Sequence, residues 1–283
     1  MACAICDDTG WKPVMVDGVH RVTRCDCWRL ARAGRLVADA RIPKRYQHCA
    51  LETFVTYGNE SLARAVARAQ AIAREFPVVD KGLFLLGPPG VGKTHLAVAV
   101  LAECLRTRGA RGMFYDTRDL LRVIRSTYDP TVKTTEIEVL RPVMTVDLLV
   151  LDDLGAEKTS EWVEETLNLI VNTRYNDRRT TIFTSNYDDN PDVTDPDSLT
   201  CRVGLRMRSR LHEMCEFLHL DGADFREAPR NWTERDLVDL WKSRPRAPVV
   251  KRGLPAKAGS PARAQLKDGR AELRWSGGKA GTP

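Results

Sequence analysis

The residues most able to do chemistry form the stretch GPPGVGKT, Gly87 to Thr94. It fits the pattern G-x-x-x-x-G-K-[S/T], with the apolar run GLFLLG before it and the helical run HLAVAVLAECLRTRG after it. That strand–loop–helix setting is what the pattern needs in order to hold phosphates. The glycines allow successive backbone amides to turn inward around a β-phosphate, which also meets the positive end of the following helix. Lys93 would reach the β- and γ-phosphates, and the Thr94 hydroxyl would hold Mg²⁺. The expected nucleotide-binding set is therefore Gly87, Pro88, Pro89, Gly90, Val91, Gly92, Lys93, Thr94 and His95. A chance glycine turn is the alternative, and both flanks argue against it.

Two more stretches supply the rest of a phosphoryl-transfer site. DLLVLDDLG, Asp147 to Gly155, is an apolar strand ending in two carboxylates. Asp152 suits Mg²⁺, directly or through water, and Asp153 would polarise the attacking water. TTIFTSN ends in Asn186, whose neutral amide could orient that water near the γ-phosphate. Either strand could instead end in an ordinary polar turn. The order phosphate loop, Asp-Asp, Asn favours the site.

A third group of reactive side chains lies at the front. CAICDDTGW carries Cys3 and Cys6, and RCDCW carries Cys25 and Cys27, giving C-x2-C-x18-C-x-C. Two close pairs of thiols in a reducing compartment suit a tetrahedral Zn²⁺ site better than disulfides. A segment of this size buries little core, so a metal staple would explain how it folds. Redox-active or free thiols are the alternatives. His20, His48 and Cys49 read as structural or exposed, and Cys104, Cys201 and Cys215 as small buried hydrophobes.

These groups need elements to hold them. GLFLLG, RGMFYD, DLLVLDD and TTIFTSN are short apolar runs separated by helical patterns, the mark of a βαβ α/β domain with a parallel sheet. CRVGLRMRSRLHEMCEFL, Cys201 to Leu218, has Val203, Met207, Leu211, Met214 and Leu218 at helical spacing, which predicts one half-buried helix. Arg202, Arg206 and Arg210 form a second row beside the apolar one. The expected domains are a Cys-rich segment at 1–45, an α/β domain at 46–228 and a basic tail at 229–283.

Composition fits a globular protein: of 283 residues, 43% are hydrophobic and 29% charged. The formal charge of +6 is unevenly placed, because residues 241–283 carry +9 and residues 1–240 carry −3. The tail, rich in Pro, Gly, Ala and Lys/Arg, reads as disordered, either a solvated extension or a weak nucleic-acid contact. No apolar run is long enough for a membrane span, and no secretory signal opens the chain, so a cytoplasmic protein without a membrane partner is expected.

Taken together the residues resemble the DnaC/IstB-like family of AAA+ ATPases, in the branch of DnaC/DnaI-like helicase loaders. The resemblance rests on ARIPKRYQHCALETF, GLFLLGPPGVGKTHLAVAV, the long stretch from LLVLDDLG to TTIFTSN, and RMRSRLHEMCEFLHLDGADFR, together spanning about two thirds of the chain. It implies an αβα AAA+ P-loop core, slow ATP hydrolysis with Mg²⁺, a homo-oligomer, a replicative DNA helicase as partner and single-stranded DNA as ligand. It also implies that Arg210 is an arginine finger with Arg206 as its companion, and that Arg226 is the last basic sensor. TRDLLRVIRSTY, with Arg118, Arg122 and Arg125, sits where the family contacts DNA; a solvated helix face is the alternative. The Cys-rich front departs from the family's usual N-terminal segment, and the lid domain is abbreviated or absent. An IstB-like transposition helper on duplex DNA, or a nucleotide-switched adaptor with little catalysis, are the other readings.

Overall fold

The computed structural model describes residues 2–158, 160–227 and 233–243, with the short pairs 266–267 and 270–271. The front is an antiparallel hairpin, β1 (Trp11–Val16) and β2 (Val19–Arg24), followed by α1 (Asp26–Asp39). Asp17 and Gly18 turn the hairpin, both at positive φ (52° and 76°), as a tight two-residue turn between right-twisted strands requires. Neither the hairpin nor α1 contains a buried residue. This segment has almost no apolar core of its own.

The α/β part begins with α2 (Glu60–Glu75), capped by the Asn59 side chain, which accepts from the amides of Ser61 and Leu62. Next come β3 (Gly82–Leu86), α3 (Lys93–Glu103), β4 (Gly112–Asp116) and α4 (Thr117–Ser126). They are followed by α5 (Glu136–Thr145), β5 (Leu148–Asp152), α6 (Glu161–Asn176) and β6 (Thr180–Ser185). Two short helices, α7 (Leu199–Val203) and α8 (Leu205–Met214), lead to β7 (Cys215–His219), and α9 (Glu234–Ser243) comes last.

The sheet is parallel throughout, in the order β4-β5-β6-β3-β7. Alternate residues of each strand face opposite layers. Leu83 and Leu85 pack with α2 and α3, while Phe84 and Leu86 pack with the layer of α4 to α8. Buried on both faces, the strands are nearly continuous apolar runs. The result is an αβα sandwich of the AAA+ P-loop class, with the four expected strands in place.

The stretch 201–218 departs from the single helix that its spacing predicts. Gly204, at φ 80° and ψ 155°, separates α7 from α8, and the chain turns extended at Cys215. Val203, Met207 and Leu211 do face the core, but Leu218 is buried from a strand. Pairing of β7 with β3 supplies a ladder of backbone hydrogen bonds that a helix could not offer the sheet edge.

The basic tail expected from residue 229 lies largely outside the described residues. Within that span, α9 is helical, and Thr233 and Asp236 cap each other reciprocally at its start. In the segment 245–283, the pairs Leu266–Lys267 and Arg270–Ala271 form a two-stranded antiparallel ladder. Among the described residues no helix is long and apolar enough to cross a membrane.

Arg174 on α6 is fully buried. It donates to the carbonyls of Val143, Met144, Val146 and Thr180 and to the Thr181 hydroxyl, so it satisfies the open C-terminal end of α5 and the start of β6. Replacing it with Leu strands buried carbonyls. Urea unfolding of Arg174→Leu is expected to show a loss of about 3–5 kcal/mol, against at most about 0.5 kcal/mol for exposed Arg106→Ala.

Candidate functional site: a phosphate loop at the ends of the parallel strands

The loop after β3 carries Gly87, Gly90 and Gly92 at positive φ. At Gly90 (φ 80°) a Cβ would lie 1.7 Å from the Asp224 carboxylate, so only glycine lets the loop close against this neighbour. Gly92 caps α3 from the left-handed region, which aims the first amides of that helix at the loop.

Lys93 is 6% exposed, and its ammonium donates to the carbonyls of Gly87 (2.7 Å) and Pro88 (2.8 Å) and to Asn186 Oδ1 (2.8 Å). Burial pulls its pKa down to about 8; the carboxylates of Asp153 and Asp152 resist this shift. The Thr94 hydroxyl donates to both Asp152 oxygens (2.9 and 3.2 Å). Thr184 donates to Asp152 Oδ1 at 2.6 Å and accepts from the Asp153 amide at 2.9 Å. Burial raises the pKa of Asp152, and these two hydroxyl bonds oppose the shift.

Asp153 has both oxygens occupied. Oδ1 accepts from Asn186 Nδ2 at 2.6 Å, and Oδ2 pairs with Arg118 at 3.0 Å. Asn186 thus bridges the ammonium and the second carboxylate. Beside these groups lies a cavity of about 870 Å³. Its lining includes the polar groups Lys93, Thr94, Asp152, Asp153, Asn186 and Arg226 together with His48, Cys49, Phe54 and His95. His95 meets the rings of Phe54 and His48 edge-on, at 5.4 and 6.3 Å. The polar groups suit phosphates and a hard cation, and the rings of Phe54 and His95 suit a flat heterocycle.

Lys93, Thr94, Asp152, Asp153, Asn186 and Arg226 therefore converge. Arg206 and Arg210 do not line the cavity; both lie on α8, where Arg210 Nη1 donates to the Arg206 carbonyl at 3.4 Å. Arg202 and Arg208, the other arginines of the stretch 201–218, are tied down. Arg202 covers the Tyr187 ring at 4.6 Å, and Arg208 pairs with Asp189 at 2.6 Å. On α4, Arg122 pairs with Asp119, and Arg125 lies over Trp162. His48 and Cys49, read as structural or exposed, line the cavity. Thr184 and the Arg118–Asp153 pair escaped the sequence reading. Thr184 sits two residues before Asn186, and that period-two step was the available clue.

The four front cysteines also converge. Their sulfurs all lie within 4.8 Å of one another, with Cys3 and Cys25 at 3.8 Å and Cys6 and Cys27 at 3.2 Å. A tetrahedron of Zn–S bonds of about 2.3 Å has S···S edges of about 3.8 Å. The amides of Ile5 and Cys6 lower the Cys3 thiol to about 7, whereas contact with Cys6 and burial push the Cys27 thiol up. Four sulfurs this close could all be thiolates only with a cation between them, and a soft divalent metal fits the donor set.

With this geometry in view, the family pattern of IstB-like ATP binding proteins matches residues 22–228. The chain belongs to that family. Replicative helicase loader DnaC of Buchnera aphidicola (from Schizaphis graminum) is 28% identical over 154 residues, 54% of this chain and 62% of that protein. DnaC of Escherichia coli K12 is 27% identical over 166 residues, 59% of this chain and 64% of that protein. The chain thus spans less than two thirds of the length of these curated relatives. A crystal structure of the DnaC helicase loader superimposes with a TM-score of 0.56 and 37% identity, over 63% of this chain and 100% of that one.

The lowered pKa of Lys93 sets a pH dependence for nucleotide binding. A triphosphate held by Lys93 would bind the charged ammonium, so affinity is expected to be flat while the free protein keeps Lys93 protonated and to fall as pH rises through about 8. Titration with a fluorescent ATP analogue at constant ionic strength should approach a tenfold loss per pH unit above that point. Constant affinity up to about pH 10 would contradict the assignment of Lys93.

Proposed function

We propose that the chain is an ATP-dependent replicative helicase loader, which binds a helicase and single-stranded DNA and hydrolyses ATP slowly. The observation that carries this reading is a complete phosphate-loop site on a core 37% identical to the DnaC helicase loader. Lys93 would hold the β- and γ-phosphates, with Thr94 and Asp152 holding Mg²⁺, whose charge would offset that of the phosphates. Asp153 would polarise the attacking water and Asn186 would orient it. Arg226, on the cavity wall, would sense the bound nucleotide.

Two features support slow turnover by the isolated chain. Both Asp153 oxygens are engaged, and Arg206 and Arg210 stand away from the cavity of their own protomer. A neighbouring protomer would supply Arg210 as a finger, with Arg206 as its companion, which makes a homo-oligomer part of the proposal. Fingers supplied in trans are worth roughly 10³–10⁵ in rate. Arg210→Ala is therefore expected to bind ATP normally and lose DNA-stimulated hydrolysis, while Arg118→Ala, which frees Asp153 Oδ2, raises the DNA-independent rate. Native DNA stimulation in Arg210→Ala would end the finger assignment.

The front segment would be the helicase-docking part, held by zinc on Cys3, Cys6, Cys25 and Cys27. Its lack of a core supports the metal, and its exposed Ile5, Met15, Val22 and Leu30 offer apolar surface to a protein partner. Elemental analysis should find one zinc per native chain and none in Cys3→Ser/Cys6→Ser. An unchanged zinc content would rule out this ligand set. Such a loader would act in the cytoplasm.

The family match keeps a second reading in play, an IstB-like transposition helper acting on duplex DNA. The two readings part on the nucleic acid that stimulates hydrolysis: single strands for the loader, duplex for the helper. An adaptor with little catalysis would instead keep its partner binding in Lys93→Ala.

A further inference from the structure

A short stretch of chain joins the nucleotide site to the arginine helix. Asn186, which holds Lys93 and Asp153, ends β6, and the next residues are fastened one after another to the elements that carry the arginine row. Tyr187 lies under the Arg202 guanidinium on α7. The Asp188 carbonyl accepts from the Leu199 amide at 2.8 Å. Asp189 then reaches α8: Oδ1 accepts from Arg208 Nε at 2.6 Å, and Oδ2 lies 3.0 Å from His212 Nε2. Asp189 is three steps along the chain from Asn186, a span of at most about 10 Å.

α8 depends on such ties for its orientation. Gly204 interrupts the helical path from α7, so the orientation of α8 rests on its own contacts. On the core side these are Met207 and Leu211. On the other side Asp189 grips Arg208 and His212. A second tie comes from the residue just before β3, since Lys81 Nζ donates to the His212 carbonyl at 3.1 Å. The His212 ring also stacks flat on Phe217 at 3.9 Å, and Phe217 lies 4.6 Å from Phe84 of β3. Arg206 and Arg210 flank Arg208 at two residues on either side, so a small rotation of α8 about the Asp189 grip moves both.

We propose that Asp189 is a positioning residue that couples Asn186 in one protomer's nucleotide site to the arginine helix which that protomer presents to its neighbour. The coupling rests on the finger reading above. A γ-phosphate that takes the Lys93 ammonium removes the Lys93–Asn186 bond, and the loop carries the resulting shift to α8 through a charge-assisted tie. The finger offered to the next site then reports the occupancy of its own site.

The test uses the full-length chain and Asp189→Asn, which keeps the size and an acceptor oxygen but loses the charge. Amide hydrogen exchange across 205–214 should change when ATP and Mg²⁺ are added to the native chain. In Asp189→Asn it should stay unchanged although ATP still binds with native affinity. DNA-stimulated hydrolysis should go from sigmoidal in ATP to hyperbolic, with the maximal rate down about tenfold and KM within about twofold. Arg208→Gln cuts the same tie from the helix side and should reproduce both effects, which a generally weakened fold would not. A native exchange response and native cooperativity in Asp189→Asn overturn the coupling. Arg210→Ala run alongside separates the two ideas. If it hydrolyses at the native rate, the finger and the coupling fall together. If it is inactive while Asp189→Asn behaves as native, the coupling alone falls.

Discussion

An ammonium group as buried as that of Lys93 has to be paired, and the pairing organises the nucleotide site around it. Two partners are carbonyls of its own loop, which holds the loop in the shape of a phosphate cradle. The third is Asn186, and through it the requirement spreads. Asn186 holds Asp153, Asp153 holds Arg118 at the start of α4, and Thr184 holds Asp152 while accepting from the Asp153 amide. Lys93, Asp152 and Asp153 are thus each held by hydrogen bonds within the same chain, and Asp153 by an ion pair as well. A triphosphate held there as proposed would replace internal partners of Lys93, the Asn186 amide among them.

The fold assembles these groups at the ends of neighbouring strands. The parallel sheet brings the ends of β3, β5 and β6 side by side, so Gly87–Thr94, Asp152–Asp153 and Asn186 meet without long loops. The same sheet carries β7 on its β3 edge and, just before it, α8 with the arginines that its own cavity does not use. In the proposed oligomer, the guanidinium groups on α8 would add to the site of a neighbour a cation that its own chain does not bring there. The front segment follows different physics. Its hairpin and α1 hold no fully buried side chain, and α1 meets the main core only through half-buried Leu36 and Val37, so the converging sulfurs of Cys3, Cys6, Cys25 and Cys27 are the natural organising centre.

Much of this was legible beforehand, for identifiable reasons. The phosphate loop, the acidic pair and Asn186 are local patterns, each set within a few residues by the chemistry of holding phosphate and metal. The four strands that carry or adjoin them are short apolar runs with clear ends. Residues 201–218 were misleading because apolar steps of three and four suit a helix, whereas Gly204 and a β3 partner more than a hundred residues away decide the outcome. Arg118 as the partner of Asp153, and Asp189 as the partner of Arg208 and His212, depend on tertiary approach, for which the sequence holds no local sign. His48 and Cys49 reach the cavity for the same reason. The helix Glu234–Ser243 was hidden by the basic composition of its surroundings, although the Thr233–Asp236 cap was written in the chain.

The central claim is that a protomer hydrolyses ATP with a cation from its neighbour, and mixing two defective chains tests it most directly. Asp153→Asn should bind ATP and present an intact Arg210 while lacking the group that polarises water. Arg210→Ala should hold an intact acidic pair while offering no finger. Each alone should be nearly inactive in the presence of single-stranded DNA, and hydrolysis should reappear when they are combined at equal concentration. A mixture as inactive as its components, with both chains shown to bind ATP and to co-assemble, would contradict the account.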